Sequence, residues 1–205
     1  LQARLGDYCS YCERQIETNL AVEHIQPKST NPDLETDWDN FLLGCVNCNS
    51  SKGDSPVIVA DYLWPDVDNT LNAFEYVEGG LVQPHSNLPA ALRQKAQALL
   101  ELVGLDKYPG HPQRARRPTD VDKRWNRRRD ARKKALYYAA QLAAEDSPAL
   151  RQAIVDLIIA SGHFSIWWFA FSTDTDMRRR MRQAFPGTAA VCFDAGEEPV
   201  PRGQT

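Results

Sequence analysis

Residues 9–54 read CSYCERQIETNLAVEHIQPKSTNPDLETDWDNFLLGCVNCNSSKGD, and the fold is decided inside this stretch. Cys9 and Cys12 form one C-x2-C pair, and Cys45 and Cys48 form another. Two matched pairs of this spacing converge tetrahedrally on one zinc ion, and an ion saturated by four thiolates has no open position for a substrate. Its role is therefore structural: a unit this small has little core, and a metal staple supplies what packing cannot. Between the pairs lie Glu23-His24 and Asp39-Asn40, with Asn49 just past the last cysteine.

The same stretch alternates between strand and loop signals. Leu20 to Ile25 reads as a strand stopped by Pro27, and residues 28–39 read as a polar loop. Phe41 to Cys45 reads as a second strand, and Cys48 to Lys52 opens a helix that ends near Gly53. Neighbouring strand residues point to opposite faces, so Glu23 and His24 cannot serve one atom in the same way. Asn40 reads as a residue that holds the His24 strand through backbone hydrogen bonds, or as a plain turn asparagine. Lys52 reads as a phosphate contact or as a cation at a helix C-terminus.

Strand, loop, strand and helix around one ion is the ββα-metal arrangement, and the residues resemble the HNH endonuclease superfamily. The resemblance rests on C-x2-C at Cys9 and Cys12, EHI-x-P from Glu23 to Pro27 and DN-x-L-L from Asp39 to Leu43. It continues through C-x2-C-N from Cys45 to Asn49 and the pair Lys52-Gly53. It implies His24 as the general base, Glu23 and Asn49 as ligands of a catalytic Mg²⁺ or Mn²⁺ ion, and Asn40 as the middle letter of the motif. CSYCE, EHIQPKS, DWDNFLLGC, CNSSKGDSP and the later PGTAAVCFD (186–194) resemble more narrowly the HNH subunit of Septu-type and retron-associated antiphage systems. That resemblance implies an ABC-type, SMC-like ATPase partner and a nucleic-acid substrate, DNA or a structured RNA such as tRNA. A non-catalytic zinc module that tethers nucleic acid or protein shares the cysteines but has no use for Glu23, His24 and Asn49. A free-standing restriction-type HNH enzyme would act without a partner.

Hydrophobic residues make up 42% and charged residues 25% of 205 positions, as in ordinary soluble domains. The strongest apolar run, Phe164 to Phe171, is too short to span a bilayer, and no secretory leader is visible at the start. The chain opens on Leu1 and not Met, so residues are expected to precede it. Five cysteines, an odd number, argue against a disulfide framework, and the expected location is cytoplasmic. Cys192 reads as a small core residue.

The net charge of -3 hides an asymmetry: residues 107–134 hold 12 of the 24 Lys/Arg against only 3 Asp/Glu. Such a stripe suits a polyphosphate backbone, although a solvated helix face or an acidic protein partner would also explain it. Arg124, Arg127, Arg128 and Arg132 share one helical face and form the candidate nucleic-acid track. Trp125 could stack on a base or fill the core.

The expected fold is α+β and helix-dominated, with a zinc-stapled ββα-metal core over residues 1–60 and a mainly α-helical region over 61–205. Strands are expected at 55–63 and 74–82, the latter around Gly79-Gly80. Helices are expected at 89–103, 120–144 and 148–161, and further ones within 164–184. Ile166 to Phe169 reads as core, or else as a docking surface for the ATPase. The tail from Gly196 is expected to fray.

Overall fold

The computed structural model describes residues 1–16, 18 and 21–205. A single turn, α1 (Gln2–Leu5), is closed by Gly6 at φ 71° and delivers the chain to the first cysteine pair. β1 (Ala21–His24) then pairs antiparallel with β2 (Phe41–Gly44), with Glu23 opposite Leu42 and His24 opposite Phe41. The expected strand was one residue longer at each end: Leu20 lies outside the described residues, and Ile25 follows the strand. α2 (Val46–Lys52) starts on Cys45, whose sulfur accepts from the Cys48 amide, and stops at Gly53, φ 52°. The strand, loop, strand and helix of the ββα pattern are thus present in order.

The next segment departs from expectation. Residues 55–63 form no strand; Val59–Asp61 is a 3₁₀ turn, and Ile58 is 69% exposed. Pro56 removes a ladder donor at its start, and Leu63 and Trp64 enter the core immediately after it. α3 (Thr70–Ala73) leads into the hairpin β3 (Phe74–Val77) and β4 (Leu81–Pro84). Its turn needs glycine: Gly79 and Gly80 have φ of 78° and 77°, and a Cβ on Gly80 would collide with the Trp125 carbonyl oxygen. The hairpin tip therefore lies directly against the long helix that follows.

Five longer helical segments follow. α4 (Ala90–Leu102) ends before Gly104, and α5 (Arg124–Ala144) begins four residues later than the sequence suggests. α6 (Pro148–Ser161) is capped by Ser147 and closed by Gly162. The aromatic stretch and the Arg cluster fall on two helices, α7 (Phe164–Ala170) and α8 (Thr175–Ala184), the latter capped by Asp174. Among the described residues, no helix is long and apolar enough to cross a membrane.

Two apolar clusters hold these elements. One surrounds the four paired cysteines with Leu42, Leu63, Trp64, Phe74, Val82, Leu99, Leu100 and Leu105. The expected division after residue 60 runs through this cluster, because the β3–β4 hairpin and α4 complete the packing around the cysteines. The other joins Ala131 and Ala135 of α5 to Ile154, Ile158, Trp167, Trp168, Met177 and Met181. Ile166, Trp167 and Trp168 are buried there and Phe169 is half-buried, so this run mainly packs the interior. Cys192 is buried as expected.

The tail is not frayed. Arg182 donates to both carboxylate oxygens of Glu197, at 2.7 and 2.9 Å, and Arg178 pairs with Glu198 at 2.5 Å. Phe193 bridges to Pro199, and the Gln204 amide donates to Asp68. The Arg cluster of α8 is thereby consumed by acidic residues of the same chain.

Candidate metal centre and nuclease site

The sulfurs of Cys9, Cys12, Cys45 and Cys48 lie within 4.8 Å of one another, and all four residues are buried. A tetrahedral ion at about 2.3 Å from each sulfur requires sulfurs about 3.8 Å apart. Cys12 and Cys45 stand at 3.8 Å. The backbone amides of Cys45 and Cys48 donate to the sulfurs of Cys9 and Cys45, at 3.3 and 3.5 Å. Donation to Cys45 pushes the Cys12 thiol well up, and burial does the same to Cys48; Cys45, which accepts from its three neighbours, is held far below the usual thiol range. Such an assembly takes up negative charge that a cation at its centre would balance. The site fits zinc.

His24 ends β1 on its more exposed face. Its Nε2 lies 3.0 Å from the Glu35 carbonyl oxygen, which can only accept, so in the neutral ring Nε2 carries the proton and Nδ1 the lone pair. The ring stands edge-on to Phe41 at 5.1 Å, its register partner. Asn40 braces this arrangement from inside. Its Oδ1 accepts from the Gln26 amide at 2.8 Å, and its Nδ2 donates to the Gln26 and Leu34 carbonyls at 3.0 and 3.2 Å. The loop that brings the Glu35 carbonyl to His24 is therefore tied to both strands, and Asn40 acts through structure.

Glu23 points the other way, as strand alternation requires. It is 2% exposed; Oε1 is 2.7 Å from the Lys52 ammonium, and Oε2 accepts from the Tyr11 hydroxyl at 2.5 Å. Lys52 also donates to the His24 carbonyl at 2.6 Å, so one buried cation locks α2 onto β1. Burial pushes the Glu23 carboxyl up, against the pull of Lys52 and Tyr11. Burial and the neighbouring Glu23 charge raise Tyr11 well above the usual phenol range, which keeps it a donor. One expectation is corrected here: Lys52 cannot reach a phosphate, because its ammonium is enclosed beneath β1. Each Glu23 oxygen already has a partner, so a metal at Glu23 must displace one of them.

Gly44 is a residue the sequence reading missed. A Cβ there would lie 3.2 Å from Glu23 Cβ and 3.5 Å from Asn49 Cβ, so glycine lets Glu23 of β1 and Asn49 of α2 pack closely at this end of β2. An isolated glycine inside a strand pattern signals such a close approach. The pair fits a hard cation in kind, one carboxylate and one amide oxygen. Lys52 already supplies the positive charge on Oε1, so an added ion competes with it.

The basic stripe divides. Arg124 is 4% and Arg128 3% exposed. Arg124 binds Asp122 at 2.7 Å, the Val103 and Gly104 carbonyls, and the Cys48 sulfur at 3.2 Å. Burial opposes its charge, but Asp122 and Cys48 outweigh that and hold it protonated more firmly than usual. Arg128 donates to the Gly80 and Leu105 carbonyls, both at 2.9 Å. Neither belongs to a nucleic-acid track: they lie on the α5 face that packs on the cysteine cluster and the hairpin. Arg127 is exposed and Arg132 half-buried. Trp125 is half-buried with Arg129 stacked at 5.2 Å.

Comparison with known proteins falls on the same residues. A family model described as HNH endonuclease matches residues 9–55. The chain is also similar to the Septu protein PtuB of Bacillus thuringiensis, 35% identical over 74 residues. That match takes in 33% of this chain and 29% of the relative, so it spans less than a third of the relative's length. From the first cysteine pair to the end of α2, the chain therefore matches the HNH endonuclease family model, over a segment assembled around four cysteines that fit a zinc ion.

Proposed function

We propose that this chain is a metal-dependent endonuclease that hydrolyses phosphodiester bonds of nucleic acid, DNA foremost and tRNA as the other candidate polymer. We further propose that it is the cytoplasmic effector of an antiphage system and works beside an ABC-type, SMC-like ATPase, as the similarity to a Septu protein suggests. The observation that carries the nuclease reading is the histidine: His24 is fixed through one ring nitrogen and keeps the other free as a base. His24 Nδ1 takes a proton from a water molecule as the water oxygen bonds to phosphorus. The bond from phosphorus to the leaving oxygen breaks, its electron pair stays on that oxygen, and solvent supplies the proton. Asn40 and Phe41 keep the ring from turning during this transfer. Glu23 and Asn49 are the residues to hold a catalytic Mg²⁺ or Mn²⁺ ion, which when bound would supply positive charge against the phosphate oxygens. Lys52 must give way on Glu23 Oε1 for this to happen.

The test is cleavage of supercoiled plasmid and of bulk tRNA with Mn²⁺ or Mg²⁺, by wild type and by His24→Ala, both folded and zinc-loaded. Loss of the base should slow cleavage by about 10²–10⁴-fold without changing zinc content. Equal rates would remove His24 from the reaction. Silence of the wild type even beside its ATPase partner would overturn the nuclease reading in favour of a non-catalytic zinc module.

A further inference from the structure

Away from His24, three cations converge on one cavity of about 560 Å³. Arg127, Ala131 and Lys134 stand at i, i+4 and i+7 on α5, so one stripe of the helix forms a wall with a small floor residue at its middle. Arg14 enters from the segment after the first cysteine pair, and Ser161 and His163 close the far side. The walls are fastened together at Gly162. Its φ is 69°, Arg14 bridges to it, and a Cβ there would run into the Glu13 carbonyl and the Gln15 amide. The His163 amide donates to the same Glu13 carbonyl at 2.7 Å. Arg14 is therefore held at the cavity by backbone contacts, independent of its side chain.

The described residues lining this cavity leave its charge unbalanced. Among the described residues, neither Arg14, Arg127 nor Lys134 forms an ion pair. Among the described residues, Asp130 is the one carboxylate lining the cavity, and it is drawn off by Arg129 at 3.4 Å and by the Asn126 amide at 3.3 Å. The Nε of Arg14 is buried with no hydrogen-bond partner. It is one of eight such side-chain atoms among the described residues and the one at this cavity, where an anion's oxygen would accept from it. Cations in a concavity focus a positive potential, and guanidinium groups match phosphate oxygens in fork geometry.

We propose that the cavity lined by Arg14, Arg127 and Lys134 is a binding site for a phosphate group, separate from the His24 centre. Two sources share that chemistry, a phosphate of a nucleic-acid backbone and the phosphates of a free nucleotide. The inference stands without the nuclease reading, since binding here does not involve His24.

The experiment measures binding by the full, zinc-loaded chain of a fluorescein-labelled single-stranded oligonucleotide and, separately, of ATP. A triple variant, Arg14→Gln, Arg127→Gln and Lys134→Gln, is compared with a control of equal charge change outside the cavity, Arg114→Gln, Arg117→Gln and Lys133→Gln. Loss of three phosphate contacts should lower the salt slope of oligonucleotide binding by about 2. Affinity at moderate salt should fall at least tenfold, and the control should lose less than threefold. Oligonucleotide binding that ATP does not compete assigns the site to the nucleic-acid backbone; ATP binding that the cavity variant abolishes assigns it to a nucleotide. If the triple variant does not fold, the exposed pair Arg127→Gln and Lys134→Gln replaces it, with about two thirds of the slope change expected. Equal losses in cavity variant and control, or no binding of either probe by the wild type, overturn the proposal. The readout is binding without added Mn²⁺ or Mg²⁺ and without turnover, so a failed cleavage assay and a failed binding assay remain distinct results.

Discussion

Replacing Lys52 by Met removes the cation from the most enclosed ion pair in the molecule and keeps the length of the side chain. Both partners have side chains 1% exposed, so the Glu23 carboxylate would be left charged with the Tyr11 hydroxyl as its remaining donor. Breaking a buried pair by removing one partner costs about 3–5 kcal/mol, and the surviving Tyr11 bond places this variant near about 3. The carboxylate has an escape, which sets a ceiling. Taking up a proton at pH 7 costs about 3.7 kcal/mol for a group whose unfolded pKa is about 4.3, and about 1 kcal/mol at pH 5. A carboxyl with a raised folded pKa contributes stability that is fully present below the unfolded value and lost as pH rises through the folded one. Glu23 is already raised by burial, and losing Lys52 raises it further. The variant should therefore be about 3 kcal/mol less stable than wild type at pH 7 and only about 1 kcal/mol less stable at pH 5. Urea melts at both pH values, with zinc kept saturating, measure this. Mn²⁺ at a hundredfold excess over its dissociation constant should restore about 2.7 kcal/mol to the variant, and the wild type should gain much less because Lys52 competes there. Adding Glu23→Gln to Lys52→Met should recover most of the loss without metal. A loss below about 1 kcal/mol at pH 7, or one independent of pH, would refute the reasoning.

Three further outcomes are expected. Cys45→Ser removes a zinc ligand while keeping an oxygen able to cap α2, and should leave a chain with no cooperative melt and zinc below about one tenth of an equivalent; a folded, zinc-loaded variant would contradict the site. Arg124→Met leaves Asp122 unpaired and takes a donor from the Cys48 sulfur, so stability should fall by about 3 kcal/mol and zinc transfer to a chelator should quicken; unchanged transfer would sever α5 from the metal site. His163 is lowered to about 4, chiefly by burial and then by Arg128, Arg127 and Arg14 facing it. A lowered pKa gives stability that is full above the unfolded value, about 6.5, and lost as pH falls towards 4, by about 3 kcal/mol at most. His163→Asn, which tolerates the left-handed backbone at φ 61°, should flatten that part of the pH profile.

The metal site and the order of strands and helix were legible because they depend on spacing alone. Two C-x2-C pairs and a strand-breaking Pro27 need no knowledge of what packs on them. The partners of Glu23 were not legible in the same way. That Lys52 reaches beneath β1 depends on how the zinc-anchored start of α2 sets its axis, a three-dimensional fact with no local spacing. Strand alternation does foreshadow it: with His24 outward, Glu23 is inward and Val22 is outward, 53% exposed. An inward carboxylate needs a buried cation, and Lys52 is the cation nearest the next element's end.

The basic stripe shows where counting charge misleads and where periodicity corrects it. Ala131, Ala135 and Leu142 are the buried apolar positions of α5, at spacings of four and seven. Carried backwards at the same period, that face passes through Arg128 and Arg124. Placed on a core-facing stripe beside carbonyls and a thiolate cluster, an arginine is a structural cross-link whose donors the fold uses up. Arg127 and Lys134 lie a quarter-turn away, on the face lining the cavity with Arg14. The tail makes the same argument in reverse, since Glu197 and Glu198 absorb the Arg cluster of α8. Positive charge in this chain thus divides by helical phase into cations that hold the fold and cations left over. Of those left over, Arg127 and Lys134 meet Arg14, whose buried Nε has no partner, where a phosphate is the missing counter-charge.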